Sequence, residues 1–497
     1  MTQASFGAAF IAPEEVTPKR LDANFYRATY RQAAQRAARL PSAPLSSLVK
    51  AGTVITYGVI KSVQVESGVP MLRIQNLQSG FADADGAVRI STEQHQGFSR
   101  SALSGGELLI AIGGYVGVAA KYPNDGPIAN INQHVAKADI DLRRANDYYA
   151  LAYLWSQTGT LLLQRTVTGT VQAGISLGDL RAFAVPLPDR RVQDYIGAKV
   201  ELAERCRAVS SRSWLAATEL LEAALGAPLT PETFEVKSAS NVSGSGYEVT
   251  SIRPVVALVS PARLVGAIGA QFFTPRRAKA ILVIEQSGLG AKRLSALADR
   301  FTKRVSADEV QARGLSYVGL AQVDSSMGYV STATDEQPSS SSACFGARDI
   351  LFSKLRPYLN KVAICPEHLD EAAGSSELVT YRAKPGVDPY YVFFVLKSPL
   401  VLNQVIDITS GSTHPRVAPD LIDDVLVPLA EAPVQKRIGR LARVALELRR
   451  RATLLVEDAK ADVEALIEGT LDVQAILSGT VKAPTADDIP ELAEDGT

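Results

Sequence analysis

The stretch TVTGTVQAGISLGDLRAFAVPLP, from Thr166 to Pro188, has a second version in DITSGSTHPRVAPDLIDDVLVPL, from Asp407 to Leu429. Gly169 of the first stretch aligns with Gly411 of the second, a displacement of 242 residues (411 − 169). Both stretches begin with a polar turn that contains glycine and end in an apolar VPL segment. A pattern that repeats at one displacement indicates two copies of one folding module.

The same displacement recurs, in the same order, along much of the chain. Three further pairs are 242 residues apart: Glu107 with Asp349 (349 − 107), Tyr149 with Tyr391 (391 − 149), and Gln193 with Gln435 (435 − 193). Two pairs differ slightly: RLDANFY at Arg20 and RLVGAIGAQFF at Arg263 (263 − 20 = 243), and VPMLRIQNLQSG and LSYVGLAQVDSSMG (322 − 76 = 246). Small insertions account for these differences, so the sequence predicts a duplication.

Each copy has the same plan of mixed strands and helices followed by one long helix. Apolar residues at helical spacing predict helices from about Arg190 to Leu225 and from about Pro433 to Glu468. A helix of that length, about 54 Å, needs a partner along its apolar face. The predicted fold class is therefore α/β (α+β) modules in two copies, with the two helices paired as an antiparallel coiled-coil spacer.

This plan predicts seven segments. They are an N-terminal arm (1–19), a first module (20–188), a first helix (189–226), a linker (227–258), a second module (259–430), a second helix (431–469) and an acidic tail (470–497).

Composition favours a cytoplasmic globular protein. The 497 residues carry no net charge, and they include no apolar run of about 18 residues or more that would span a membrane. The three cysteines show no metal or disulfide spacing, and the four histidines show no metal spacing. A stretch rich in Lys and Arg, from Arg263 to Arg313, is consistent with either a nucleic-acid patch or a solvated face. We find no phosphate-loop, HExxH or nucleophile-elbow motif, which predicts a binding protein without a cofactor or metal of its own.

The order and duplication of these segments resemble the specificity (S, HsdS) subunit of type I restriction–modification systems. The matching pieces include RLDANFY, GGELLIAIGGYVG, INQHV and VQDYIG in the first copy, and YVGLAQVD, ARDILFSKLRPYLNKVAI and VQKRIG in the second. The resemblance covers roughly Arg20 to Gly469.

The resemblance implies a non-catalytic subunit that reads a bipartite, asymmetric site on double-stranded DNA. It further implies that the helices dock two methyltransferase (M) subunits, which bind S-adenosylmethionine and methylate adenine. A restriction (R) subunit that uses ATP and Mg would complete a nuclease for phage defence.

Candidate DNA contacts are loop residues whose side chains suit bases or phosphates. In the first module they are Arg73, Gln75, Asn76, Tyr115, Lys121, Asn132, Gln133, His134, Thr168 and Gln172. Arg73 and Gln75 are equally consistent with an exposed strand face. Asn132 to His134 are equally consistent with a turn whose side chains cap backbone groups.

In the second module the candidates come from FSKLRPYLNK and TSGSTHPR. They are Lys354, Arg356, Tyr358, Asn360, Lys361, Ser410, Ser412, Thr413, His414 and Arg416. The first segment is also consistent with a hairpin that has a solvated basic face. The second resembles TVTGTVQAG of the first copy, so it is either a shared binding loop or a structural lock between the module and its helix.

Other functions stay open at this point. The same kind of DNA reader could serve another phage-defence or methylation assembly. A protein-only scaffold and an autonomous nucleic-acid enzyme are further alternatives from different classes. Salt-dependent DNA binding would argue against the scaffold, and activity of the purified chain alone would favour the enzyme.

Overall fold

The chain folds as two compact units. A computed structural model describes residues 11, 16, 20–169, 173–235, 241–244, 247–250, 257–259, 269–331, 336–338 and 340–492; the side chains of 78–79, 241–244, 247–250 and 257–259 are outside it. Unit 1 comprises residues 1–206 and 451–490, and unit 2 comprises residues 207–450 and 491–497.

Unit 1 contains the first module. Its helices and strands are α1 (Ala28–Ala37), β1 (Ser42–Pro44), α2 (Leu45–Leu48), β2 (Thr56–Tyr57), β3 (Gln64–Val65), β4 (Val69–Leu72), β5 (Val88–Ile90), α3 (Thr92–Gly97), β6 (Leu108–Ala111), β7 (Ala119–Lys121), β8 (Asn130–Ile131), β9 (Val135–Ala138), α4 (Asp147–Trp155), α5 (Gln157–Arg165), α6 (Leu177–Ala182), β10 (Ala184–Pro186) and the first part of α7 (Arg190–Leu225).

Two four-stranded sheets form the body of this module. The antiparallel sheet has the order β2-β9-β6-β7, with Ile110 opposite Ala136. The mixed sheet has the order β3-β5-β4-β8, in which β4 and β8 run parallel. Helix α4 is almost entirely apolar and lies buried against the first sheet, where the Tyr149 hydroxyl donates to the Pro186 carbonyl at 3.0 Å. Burial on all sides explains why this helix shows no amphipathic pattern.

Unit 2 contains the second module. After the end of α7, its helices and strands are α8 (Pro231–Phe234), β11 (Asn241–Gly244), β12 (Tyr247–Thr250), β13 (Ala257–Val259), α9 (Pro275–Gln286), β14 (Gly290–Arg293), α10 (Leu294–Leu297), β15 (Ala298–Phe301), β16 (Arg304–Val305), α11 (Ala307–Ala312), β17 (Tyr317–Val318), β18 (Ser342–Phe345), β19 (Ile350–Ser353), β20 (Val362–Ile364), β21 (Ala372–Gly374), β22 (Leu378–Ala383), α12 (Pro389–Lys397), α13 (Pro399–Val405), β23 (Thr409–Ser410), β24 (Arg416–Val417), α14 (Pro419–Asp423), β25 (Leu426–Leu429) and the first part of α15 (Ala432–Glu468).

The second module repeats the construction of the first. Its antiparallel sheet has the order β15-β22-β19-β20, and a mixed sheet has the order β16-β18-β21-β17. The Tyr391 hydroxyl donates to the Pro428 carbonyl at 2.8 Å, as Tyr149 does 242 residues earlier to Pro186. Within the segment predicted as a linker, β11, β12 and β13 form an antiparallel three-stranded sheet.

The two long helices pack on each other with opposite directions. In unit 1, Lys199 of α7 forms an ion pair of 2.7 Å with Asp462 of α15. In unit 2, Ser210 of α7 donates to the Ala445 carbonyl of α15 at 2.7 Å. Residue numbers therefore rise along one helix while they fall along the other. The predicted fold class, two α/β modules with a pair of long helices, is confirmed.

Each long helix also approaches its own module closely. A Cβ atom on Gly197 would lie 2.3 Å from the Asn146 Oδ1, and one on Gly439 would lie 2.5 Å from the Asp388 Oδ2. Asn146 caps α4 by accepting from the Tyr149 amide, and Asp388 caps α12 in the same way. The glycine repeated in VQDYIG and VQKRIG is thus where helix and module meet.

The described helices have no span long and apolar enough to cross a bilayer.

Candidate nucleic-acid interface

Three chain segments of the first module meet at the end of β6. The Ile112 amide donates to the His134 carbonyl at 2.9 Å, and the Ile175 amide donates to the Ile112 carbonyl at 2.8 Å. Thr168 and Gly174 exchange two backbone hydrogen bonds beside them, at 2.9 and 3.0 Å. We call these segments, residues 112–117, 132–134, 168–169 and 173–175, the loop junction of module 1.

The second module has the same junction at the end of β19. The Lys354 amide donates to the Glu377 carbonyl at 2.9 Å, and the Val417 amide donates to the Lys354 carbonyl at 3.0 Å. Ser410 pairs with Arg416 across the hairpin of β23 and β24. Each residue lies 242 or 243 positions after its counterpart in module 1. Residues 354–360, 375–377 and 410–417 therefore form the loop junction of module 2.

Each junction has a glycine in the left-handed backbone region, directly after a residue that pairs with the facing segment. Gly169 has φ 92° and Gly411 has φ 88°, values in the left-handed region that only glycine adopts without strain. The two stretches that reveal the repeat in the sequence therefore share one backbone conformation at this position.

Several predicted contacts of module 1 are accessible at or near its junction. Gln75, Tyr115, His134 and Thr168 are exposed, whereas Arg73 and Gln133 are half-buried. Tyr115 is 80% exposed, which is unusual for a large aromatic side chain and suits stacking on a base or sugar. Gln172 lies outside the described residues.

A cavity of about 550 Å³ opens between these segments in module 1. Gln133 and His134 line it together with the backbone of Gly113 and Gly174. Tyr57 and Ser176 also line it, and the sequence analysis missed both. For Ser176 the signal is the internal alignment, which places it two residues after the counterpart of Arg416.

Lys121 is not available to a phosphate, contrary to its selection as a candidate. Its side chain is 2% exposed and its Nζ lies 2.6 Å from the Asp147 Oδ2. The ammonium also lies over the Tyr148 ring, 3.7 Å from its centroid. A buried lysine that is fully paired in this way supports the core, so Lys121 leaves the candidate set.

Asn76 and Asn132 also serve the module's own backbone. Both are buried. The Asn76 Oδ1 accepts from the Arg73 amide at 3.0 Å, and the Asn132 Oδ1 accepts from the His134 amide at 3.1 Å. These are turn-capping bonds, the alternative that the sequence left open for Asn132. Both residues leave the candidate set.

The loop junction of module 2 carries a denser set of accessible polar groups. Tyr358, Ser410, Ser412, Thr413, His414 and Arg416 are exposed, and Lys354 and Arg356 are half-buried. The Arg356 amide donates to the Pro415 carbonyl at 2.7 Å, so the two segments predicted as candidates lie side by side.

The first of these segments has a strained backbone. Arg356 and Asn360 have φ values of 47° and 48°, which non-glycine residues rarely adopt. The Asn360 Nδ2 donates to the Lys397 carbonyl at 2.9 Å, which holds this end of the turn. Strain retained in this way concentrates at functional loops, and it projects Tyr358 outward.

Two lysines beneath this turn have structural roles. Lys397 donates to the carbonyls of Asn360, Ser325 and Asp324, and burial lowers its pKa to about 8. Lys361 donates to two carbonyls of the neighbouring loop, and burial lowers its pKa too. Lys361 and Asn360 therefore leave the candidate set, because their polar groups are bonded inside the module.

Much of the basic stretch from Arg263 to Arg313 is neutralised locally. Arg293 pairs with Asp424 at 2.9 Å, and Arg300 pairs with Asp420 at 2.9 Å. Lys303 and Arg313 both pair with Glu371, which holds the pKa of that carboxyl down at about 2. Four cations of this stretch are thus neutralised by neighbouring carboxylates.

Among the described residues, no group of three or more His, Cys, Asp or Glu side chains is arranged to hold a metal ion.

Among the comparisons with known proteins, only the one with solved structures found matches. No protein-family model matches the chain, and no curated protein matches it. The type I restriction–modification S subunit from M. genitalium aligns at 12% identity with a TM-score of 0.44, over 87% of this chain and 96% of that chain. The HsdS subunit from Thermoanaerobacter tengcongensis aligns at 14% identity with a TM-score of 0.25, over 89% and 97%. A structure of type I R-M complex assembly and conformational transition aligns at 14% identity with a TM-score of 0.27, over 87% and 97%.

Proposed function

We propose that this protein is a sequence-specific DNA-binding specificity subunit of a type I restriction–modification complex, with one recognition module for each half of a bipartite site. One observation carries the proposal. The same loop junction, with the same backbone hydrogen bonds, occurs in both modules, but its side chains differ. A constant frame with variable polar residues is what two readers of different half-sites require.

The chemistry of the accessible side chains suits DNA. Arginine and lysine pair with guanine, glutamine and asparagine pair with adenine, and hydroxyl groups accept or donate as needed. The junctions offer Gln133, Thr168, Lys354, Ser412 and Thr413 for these roles. Tyr115 and Tyr358 add aromatic surface, and the glycine turns let backbone amides approach a phosphate.

The long helices are proposed to set the gap between the two half-sites. A helix of 36 residues extends about 54 Å, more than the roughly 34 Å of one turn of DNA. Both modules could then reach successive major grooves on one face of the duplex. The contacts at Gly197 and Gly439 favour a fixed connection between each helix and its module.

Partner subunits would supply the catalytic activities of the complex. Two methyltransferase subunits would dock on the helices and bring S-adenosylmethionine, and a restriction subunit would bring ATP and Mg if it is present. Because the chain has no net charge, much of the non-specific DNA affinity is expected from these partners. Cytoplasmic location follows from this role.

The test is selection from random duplex DNA by the chain purified with the partners that co-purify with it. The proposal expects one motif of two short blocks around a fixed gap, and binding that weakens steeply with salt. Selection of a motif without methyltransferase partners would favour the same reader in another defence or methylation assembly. Failure to bind DNA at any salt concentration would favour a protein-only scaffold.

A further inference from the structure

Arg416 in the loop junction of module 2 is held by a carboxylate in a fixed orientation. Its Nε lies 3.1 Å from both carboxylate oxygens of Glu377, and its Nη2 lies 2.8 Å from the Oε1. Its Nη1 donates to the His414 carbonyl at 3.2 Å. Glu377 thus occupies the side edge of the guanidinium, the edge formed by Nε and Nη2.

The remaining donors of Arg416 form a fork. A guanidinium has five N–H groups, and three of them are used by Glu377 and His414. One N–H on each Nη is left without a partner among the described residues. Each Nη therefore keeps one donor, and two donors on one planar guanidinium can bind two acceptors at once.

The backbone beneath Arg416 is rigid and the side chain reaches solvent. Arg416 lies in β24, paired with Ser410, and it forms a bridge with Leu355 of the neighbouring segment. Its side chain is 45% exposed, whereas that of Glu377 is 19% exposed. Glu377 is therefore the more buried partner of the pair, and Arg416 is the partner that reaches solvent.

We propose that Arg416, oriented by Glu377, is a specificity-determining residue that reads a guanine in the half-site of module 2. Guanine presents O6 and N7 side by side in the major groove, and a two-donor fork matches them. The inference rests on the proposed function and deepens it, because it names one base contact and the residue that positions it.

Module 1 has different residues at the same two positions. Gly174 is the counterpart of Arg416, and His134 is the counterpart of Glu377. Both line the cavity of module 1, and no arginine is among the described residues that line it. The guanine that depends on Arg416 should therefore occur in only one of the two half-sites.

A purely structural ion pair is the competing explanation. Exposed pairs of this kind contribute little to stability, and unit 2 offers a matched example in Arg313 with Glu371. Arg313 also pairs with a partly exposed glutamate, but it lies outside the loop junction. Arg313→Lys is therefore the control for a change that alters an ion pair without altering recognition.

The experiment repeats the selection from random duplex DNA with the full chain and its co-purifying partners. Arg416→Lys keeps the positive charge but loses the fork, so phosphate attraction persists while base readout does not. The preference for one guanine should fall about tenfold or more, with the other half-site unchanged. Glu377→Gln keeps the shape of the support and should weaken the same preference to a lesser degree.

The outcomes distinguish a failure of the proposed function from a failure of the proposed guanine contact. A wild-type complex that selects no motif would contradict the proposed function, and the inference with it. A two-block motif that Arg416→Lys leaves unchanged would overturn the inference alone. Equal loss in Arg313→Lys would also overturn it, because the effect would then come from general stability. If Arg416→Lys fails to fold, Glu377→Gln decides by the same criterion.

Discussion

Lysines of the two modules differ in what their ammonium groups contact. Lys121 is buried against Asp147, and Tyr148 lies beside the pair with its hydroxyl directed to Glu204. Lys354 is half-buried at the loop junction of module 2, where its charge helps to lower the pKa of the neighbouring Glu377. The first is part of a core network, and the second stays a predicted DNA contact.

Replacing the two lysines should therefore affect different properties. Lys121→Ala leaves the buried Asp147 without a counter-charge, so we expect the free energy of unfolding to fall by about 3–5 kcal/mol. Lys354→Ala should leave stability within about 0.5 kcal/mol and weaken DNA binding. Urea titration of both variants measures the free energy of unfolding, and a DNA-binding assay measures the loss of binding. Equal stability of the two variants would contradict the assignment.

Glu371 gives a pH-dependent test in unit 2. Hydrogen bonds from Arg313 and Lys303 hold its pKa at about 2, below its ordinary value of 4.5. A carboxyl with a depressed folded pKa contributes stability above its unfolded pKa, and this contribution is lost as pH falls through the folded pKa. The difference in free energy of unfolding between wild type and Glu371→Gln should be constant near neutrality and shrink below pH 4.5. Urea titrations of both proteins across this range measure it, and a constant difference would contradict the pairing.

At the scale of elements, the long helices are joined to their modules by cap residues. Asn146 and Asp388 each cap a buried helix and each lie against a glycine of a long helix. The cap, the glycine and the tyrosine that donates a hydrogen bond to the VPL segment repeat together, 242 residues apart. The repeated residues are therefore those that attach helix to module.

An added methyl group at this contact should be destabilising. Gly439→Ala places a Cβ 2.5 Å from Asp388, so the cap must move. We expect a loss of about 1–3 kcal/mol, although alanine is the better helix former. The control is Gly178→Ala in α6, where the nearest side-chain atom is 3.6 Å away. Thermal unfolding measures both, and a stabilised Gly439→Ala would contradict the close approach.

How much of each element the sequence predicts depends on how local its cause is. The helix from Arg190 to Leu225 follows from apolar spacing alone, and the structure has the same bounds. Lys121 is wrongly predicted to contact DNA, because its partner Asp147 follows 26 residues later and the two meet only in the folded protein. Glu377 was missed because a single glutamate has no local signal. Its correspondence to His134 comes from the backbone hydrogen bond that it accepts from Lys354, since the displacement of 242 residues points to Ser376 instead.

At the scale of the whole molecule, the duplication explains why the module, the long helix and the loop junction each occur twice. A single displacement predicts two modules and two long helices, and the structure has both pairs. It also has a loop junction of the same construction in each module. The loops themselves are the least predictable part, because their side chains are exposed and no packing constraint selects them. Which bases are read therefore requires an experiment on DNA.

The most direct test is the methylation pattern of the host genome, read by single-molecule sequencing with and without this gene. We predict that deletion removes methylation at one motif, composed of two short blocks around a fixed gap, and that the gene on a plasmid restores it. An unchanged methylation pattern, in a host shown to express the protein, would contradict a subunit that directs a methyltransferase.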